Sequence, residues 1–233
     1  MVDVSVSTRG RRPDAPPSRD GLVPQRDAAR TRTEILDVAT REFADRGYNG
    51  ARVDEIATKT RTTKRMIYYY FGSKEQLYIA VLERVYLQIR TAEQALDVDG
   101  LDPVDAIRRI ADLTFDHHQS HPDFIRLVSI ENINRAEHMA KSPTFPGQNA
   151  SVLSLIEQIL ARGRAQGRFR REVDALDVHM LISSYCVFRV ANRHTFNTIF
   201  SRDLADPALA DRYRTMLGDL VVAYLTELDD DDP

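Results

Sequence analysis

The chain has almost no cysteine: Cys186 is the single thiol among 233 residues. One thiol excludes an intramolecular disulfide framework and suits a reducing compartment. Long apolar runs are also missing. No stretch approaches the roughly 18 residues that a membrane-crossing helix needs. The first residues carry arginines and prolines but not the apolar segment of a secretory signal. There is no strand-like alternation of apolar and polar residues and no internal repeat. A glycine-rich phosphate loop, a Gly-x-Ser-x-Gly elbow, a Cys/His zinc set and carboxylates paired in a telling context are absent as well. These absences argue against an enzyme. They fit an all-α, cytoplasmic protein with no cofactor and no membrane contact.

What the chain does have is an uneven charge. Residues 1–73 hold 14 Lys/Arg against 10 Asp/Glu, and residues 74–233 hold 18 against 25. A basic head on an acidic body fits a nucleic-acid-binding module joined to a module with another task. Residues 1–26 contain four prolines and five arginines and few large apolar side chains, which predicts a disordered basic arm. Its Arg9, Arg11, Arg12, Arg19 and Arg26 are suited to phosphate or a minor groove. Residues 229–233 form an acidic tail.

The strongest local signal lies between Thr31 and Tyr78. Ile35, Leu36, Ala39 and Phe43 recur at helical spacing within a first helix over 27–46, and Gly47 stands where a left-handed residue ends a helix. A short second helix, 53–59, turns Val53, Ile56 and Ala57 to one side. A short third helix, 64–70, opens with Lys64 and Arg65 and closes on Tyr68, Tyr69 and Tyr70, with Thr63 as its N-cap. Two short helices joined by about four residues predict a helix-turn-helix, whose second helix enters the major groove. Arg65 has the fork for guanine O6 and N7, which Lys64 meets more loosely. Tyr68 and Tyr69 bring hydroxyls to phosphate. Lys74 lies at the positive end of the next helix, and Arg52 is placed to touch phosphate. Ile67 and Phe71 are core candidates.

These residues carry a resemblance. Thr31-Arg32, Ile35-Leu36, Ala39, Phe43-Ala44, Gly47-Tyr48, Val53, Ile56-Ala57, Thr63-Lys64 and Tyr68-Tyr69-Tyr70-Phe71-x-Ser73-Lys74-Glu75-x-Leu77 resemble the DNA-binding head of tetracycline-repressor-like (TetR family) regulators. The likeness covers residues 30–82, and its combined spacing is specific. It implies a homodimeric, all-α transcription repressor that a small ligand releases from DNA. It also implies that Lys64, Tyr69 and Lys74 meet DNA. The chain departs from the pattern at Arg61, where a glycine is usual in the turn, and at Arg52, where a Ser or Thr usually caps helix two. A non-Gly residue at positive φ is strained, and a lost cap costs about 1 kcal/mol.

The body, residues 74–228, is expected to bind ligand and to dimerise. Helix four starts after Ser73, with Gln76 completing a capping box, and runs to 96. Helices follow over 103–120, 122–139, 149–166, 174–200 and 207–228. Phe115, His118, Phe124, Val128 and Asn132 combine apolar walls with a few polar groups. They are the expected site for an aromatic or heterocyclic effector if helices five and six form a hairpin. His117 and His121 stand at zinc-compatible spacing, with no cysteine near them. Tyr185, Phe188, Leu220 and Tyr224 on the last two long helices are expected at a four-helix dimer interface, with Cys186 buried there. The reading is thus a homodimeric repressor on a palindromic double-stranded DNA operator. The alternatives are an all-α enzyme and an adaptor protein with a degenerate DNA-binding head.

Overall fold

The computed structural model describes residues 22–145 and 150–227. Among these residues there are helices and no strands. α1 spans Leu22–Gly50, so the helix starts before the expected end of the basic arm; residues 1–21 lie outside the described residues. Its apolar stripe is buried as spaced: Ile35, Leu36, Ala39 and Phe43 all face the interior. Gly47, at φ 67 and ψ 172, breaks α1 with a conformation that only glycine adopts without strain.

α2 is Val53–Lys59 and α3 is Lys64–Phe71. Arg52 supplies no side-chain cap to α2. Asp54 and Glu55 in its first turn favour the positive end of the helix instead. Thr63 caps α3, its hydroxyl accepting from Met66 N–H at 3.2 Å. Gly72, at φ 78, ends that helix. α4 is Lys74–Gln94. The Ser73 hydroxyl accepts from Gln76 N–H at 3.1 Å, while the Ser73 N–H donates to Phe71 O at 2.9 Å. The capping box is therefore only half formed.

α5, Pro103–Ser120, and α6, Pro122–Ile133, each open on a proline at the first turn. α6 stops six residues before its expected end at 139. Arg135 and Ala136 adopt φ of 57 and 56, and Ala136 N–H donates to Glu131 O at 2.7 Å, which terminates the helix. A single 3-10 turn, Met139–Lys141, follows. α7 is Ala150–Ala165. The single helix expected over 174–200 divides at Asn192 into α8, Ala175–Ala191, and α9, Arg193–Phe200. α10, Ala210–Thr226, follows a 3-10 turn at Pro207–Leu209. The acidic tail lies outside the described residues.

Two apolar clusters hold the helices. The first joins α1, α2 and α3 to α4 and α6 through Ile35, Phe43, Ile56, Ile67, Tyr78 and Ile125. The second joins α5, α7, α8 and α10 through Ile107, Ile156, Ile182 and Leu217. α4 is thus shared between the head and the body, and α6 packs along α1. Polar ties cross the same junction: Arg126 to Asp45 at 2.7 Å and Lys141 to Glu75 at 2.6 Å.

Candidate nucleic-acid interface and body site

α3 is two-faced. Ile67 and Phe71 are buried in the head, where Ile67 touches the apolar cluster that α1 and α2 share. Thr63, Lys64, Arg65 and Tyr68 are exposed, and Tyr69 is 78% exposed, the second most exposed large apolar side chain among those described. Exposing a tyrosine that way gains the fold nothing. A ring and hydroxyl held out on a short, rigid helix suit phosphate and base edges. Tyr69 also stands edge-on to Tyr70, at 5.5 Å between ring centroids, which limits its rotamers.

Lys64 Nζ sits 3.1 Å from Asp54 Oδ2, and both side chains are about half exposed. Such a surface pair holds little energy, so a phosphate can displace the carboxylate. Arg52 is exposed with extended backbone, at φ −120 and ψ 125, just before α2. Lys74 is half-buried at the start of α4. Its ammonium lies 4.8 Å from the Tyr48 ring centroid, and burial pushes its pKa down. It is therefore held against Tyr48, much as Arg32 lies over the Phe71 ring at 5.0 Å. Arg61 takes the positive φ, 52, that the turn demands, and its N–H still donates to Thr58 O at 3.3 Å. The turn keeps its shape at the expense of local strain.

The head has a feature that the sequence reading passed over. Glu42, nearly fully buried on α1, meets Lys59 Nζ of α2 at 2.6 Å and Arg46 Nε at 3.2 Å. This fixes α2 against α1 and so fixes the platform on which α3 stands. A carboxylate next to Phe43 on the apolar stripe was the available signal.

In the body, the structure separates the expected ligand residues. His118 and Phe124 come together, with rings 5.4 Å apart and nearly perpendicular. Val128 is half-buried against the same cluster. Phe115 belongs to the other cluster, where the Arg189 guanidinium lies 4.0 Å over its ring. Asn132 is exposed, and its Nδ2 donates to Val128 O of its own helix at 2.9 Å. It is therefore not on the buried side of α6. The zinc spacing is not realised as a metal site. The His117 and His121 rings stack at 4.3 Å, His121 Nδ1 donates to His117 O at 2.9 Å, and no cluster of three potential ligands occurs among the described residues.

Other buried polar groups surround His118. Arg90 and Glu93 of α4 pair at 2.6 Å with both side chains almost fully buried. Burial raises the Glu93 pKa to about 7 even though Arg90 pulls it down. His117 is pushed down to about 3 and His118 to about 4, by burial first and then by neighbouring positive charge, Arg90 included. Sequence reasoning missed Arg90 and Glu93. The signal was their place on the stripe Leu82, Val85, Tyr86, Ile89 of α4, where polar residues stand out.

α8 and α10 leave an apolar face uncovered. Leu176, Met180 and Phe188 on α8 and Met216, Leu220 and Tyr224 on α10 are exposed at steps of four and eight residues. Phe188 and Leu220 are each 50% exposed. Tyr185 is half-buried, and its hydroxyl donates to Tyr213 O at 3.1 Å within the same subunit. Cys186 is buried in the subunit's own core, where burial raises its thiol to about 12. It is an inert thiol. No helix among the described residues is long and apolar enough to cross a membrane.

Comparison with known proteins agrees with this geometry. Residues 35–81 match the model described as bacterial regulatory proteins, tetR family, and residues 103–221 match the tetracyclin repressor-like C-terminal domain. The HTH-type transcriptional repressor NicS of Pseudomonas putida is 35% identical over 198 residues, which cover 85% of this chain and 93% of that protein. The HTH-type transcriptional repressor SCO4008 of Streptomyces coelicolor is 38% identical over 142 residues, covering 55% of this chain and 70% of that protein. The crystal structure of the putative transcriptional regulator SCO4942 from Streptomyces coelicolor superposes with a TM-score of 0.63 at 28% identity, covering 84% of this chain and 98% of that one. With the head and the body each matched in order, and with a two-faced α3 between them and the solvent, the chain belongs to the TetR family of DNA-binding transcriptional regulators.

Proposed function

We propose that the protein is a cytoplasmic, ligand-responsive repressor that binds a palindromic operator as a homodimer. The observation that carries this reading is the division of α3 into a buried Ile67–Phe71 side and an exposed Lys64–Arg65–Tyr68–Tyr69 side. Residues 27–73 are the DNA-reading head, with Arg52, Thr63 and Lys74 flanking α3. Residues 74–228 form the sensing and dimerising body. Two α3 helices, one from each subunit, enter successive major grooves about 34–36 Å apart or at a related spacing. The relatives NicS and SCO4008 are named repressors, which supports repression as the sign.

The dimer rests on the uncovered face of α8 and α10, where Phe188, Leu220 and Tyr224 form a four-helix contact with a second copy. An effector in the body changes the spacing of the two heads. It shifts the equilibrium only by its differential affinity for the two states. His118, Phe124 and Val128 are the members of the expected site that the geometry supports. Phe115 and Asn132 are poorer candidates, because one lies in the second cluster and the other faces solvent.

Sedimentation of Leu220→Glu together with a mobility-shift assay on DNA upstream of the protein's own gene tests the reading. The expected result is a folded monomer whose operator binding is lost by a factor on the order of 100 or more, since each half-site is then held singly. A variant that stays dimeric and binds as wild type places the interface elsewhere.

A further inference from the structure

The body interior holds more polar groups than its own hydrogen bonds satisfy. Arg90 Nε, Glu93 Oε1, both ring nitrogens of His117 and Nδ1 of His118 are buried without a well-formed hydrogen bond, the Thr114 backbone being the polar group that bears on the His118 ring. All four side chains are more than nine-tenths buried. An unpaired polar atom in such a place costs on the order of 1–3 kcal/mol, so five in one neighbourhood call for an explanation.

The groups converge from three helices. α4 supplies Arg90 and Glu93, α5 supplies His117 and His118, and α8 supplies His179, whose pKa burial and Arg90 push down. Aromatic rings form the walls. His117 and His118 stand edge-on to Phe124 at 5.6 and 5.4 Å, and Tyr86 does so at 5.1 Å from another side. A cleft of about 210 Å³ between α4 and α7, lined by Glu93, Gln94, Ser151 and Gln158, adjoins the Glu93 side of the cluster.

The charges are unequal. Arg90 is a permanent cation. The buried carboxylate that pairs with it is Glu93, which keeps an orphan oxygen and whose carboxyl burial holds well above the usual carboxylate range. The imidazoles that face Arg90 are neutral there. Glu131, a buried carboxylate of α6, is occupied by His138 Nδ1 at 3.1 Å and by the backbone N–H groups of His138 and Met139 at 3.2 and 3.1 Å. The cluster therefore presents one cation and several hydrogen-bond donors with too little negative charge to match them.

We propose that this cluster binds a small aromatic carboxylate, its anionic end accepting hydrogen bonds from Arg90 and from the N–H of His117 and His118, and its ring lying among Phe124 and Tyr86. The proposal rests on the reading of the body as a ligand sensor and names the class of ligand. Charge-assisted bonds to a guanidinium fork are the strong ones, and Glu93 is the group that the ligand's carboxylate replaces at Arg90.

Benzoate and its neutral isostere benzamide, titrated calorimetrically into the full-length protein at pH 7.5, test it. Benzoate is expected to bind saturably and benzamide weakly. Arg90→Gln is expected to lose benzoate binding by a factor on the order of 30 or more, the usual scale for truncating one partner of a buried charge pair. Glu93→Gln, which removes the competing carboxylate and keeps the shape, is expected to tighten benzoate binding, and it decides the matter should Arg90→Gln fail to fold. Equal binding of benzoate and benzamide overturns the carboxylate while leaving the sensing body intact. No benzoate binding in either the wild type or Glu93→Gln overturns the site. Saturable benzoate binding that leaves the operator complex undisturbed in a mobility-shift assay supports the site and overturns the sensor reading.

Discussion

The head and the body are both helical and both well buried, yet their interiors differ in kind. The head's core is apolar apart from Glu42 and Thr60: Glu42 pairs with Lys59 at 2.6 Å and with Arg46 at 3.2 Å, although its Oε1 has no well-formed hydrogen bond, and the Thr60 hydroxyl donates to Ile56 O at 2.8 Å. The body's interior holds Arg90, Glu93, His117, His118 and Arg189, several with atoms left unpaired. An apolar core with so few unmet polar atoms specifies one shape and holds it. A core with unmet hydrogen bonds is stable only to the extent that something else satisfies them. The rigid module is the one that must present α3 in a fixed pose. The unsatisfied module is the one that has reason to change with its contents.

The sharpest way to break this comparison is to damage the head's core. Ile67 is fully buried on the inner face of α3. Ile67→Ala removes most of its side chain and is expected to destabilise the protein by about 2–5 kcal/mol. A denaturant titration that shows a change below 1 kcal/mol would mean that α3 is not held by this core.

A second test uses pH, where the two regions should part. His117 and His118 have pKa values of about 3 and about 4 against an ordinary 6.5, so the folded state resists protonating them. Their contribution to stability is complete above pH 6.5 and is lost progressively as pH falls toward these values. Glu93 acts in the opposite sense. Its pKa is raised from 4.5 to about 7, so its contribution is lost as pH rises through that interval. Between pH 4.5 and 6.5 the two histidines outweigh the one carboxyl. The wild-type melting temperature is expected to fall more steeply below pH 6 than that of the His117→Asn, His118→Asn double variant. Parallel curves would remove the histidines from the account.

The smallest effect concerns the turn between α2 and α3. Arg61 at φ 52 carries strain that glycine would relieve. Arg61→Gly is expected to stabilise the protein by about 0.5–1 kcal/mol, the left-handed penalty less the entropy that glycine loses on folding. Thermal denaturation checks it, and a drop in midpoint would mean that the Arg61 side chain has a role of its own.

The sequence made the head legible because local rules and tertiary packing agree there. Ile35, Phe43, Ile56 and Ile67 lie on clean stripes, Thr63 caps α3 as its place suggests, and α2 falls on the expected 53–59. The body was legible in its helices and not in their breaks. Asn192 favours caps and turns over helix interiors, but a single Asn inside a long apolar pattern was too weak a signal to announce that α8 and α9 separate there. Arg135 and Ala136 are good helix formers, and their left-handed turn accompanies the bonds of Glu131 to His138, whose ring packs on Tyr48 and Tyr78. Asn132 was misplaced for a related reason. Spacing alone does not say which face of α6 is buried when apolar residues surround the helix. Arg90 and Glu93 were hidden because charged residues on a helix usually face water.

The division of labour itself rests on α3 reading DNA. A fluorescence-anisotropy titration of DNA from upstream of the protein's own gene, repeated across a salt series, measures this directly. Lys64→Ala and Tyr69→Phe are expected to weaken binding with the melting temperature unchanged, and Lys64→Ala to lower the salt slope by about one unit, as for one lost phosphate contact. Wild-type affinity and an unchanged slope in both variants would contradict the assignment of α3 as the DNA-reading helix.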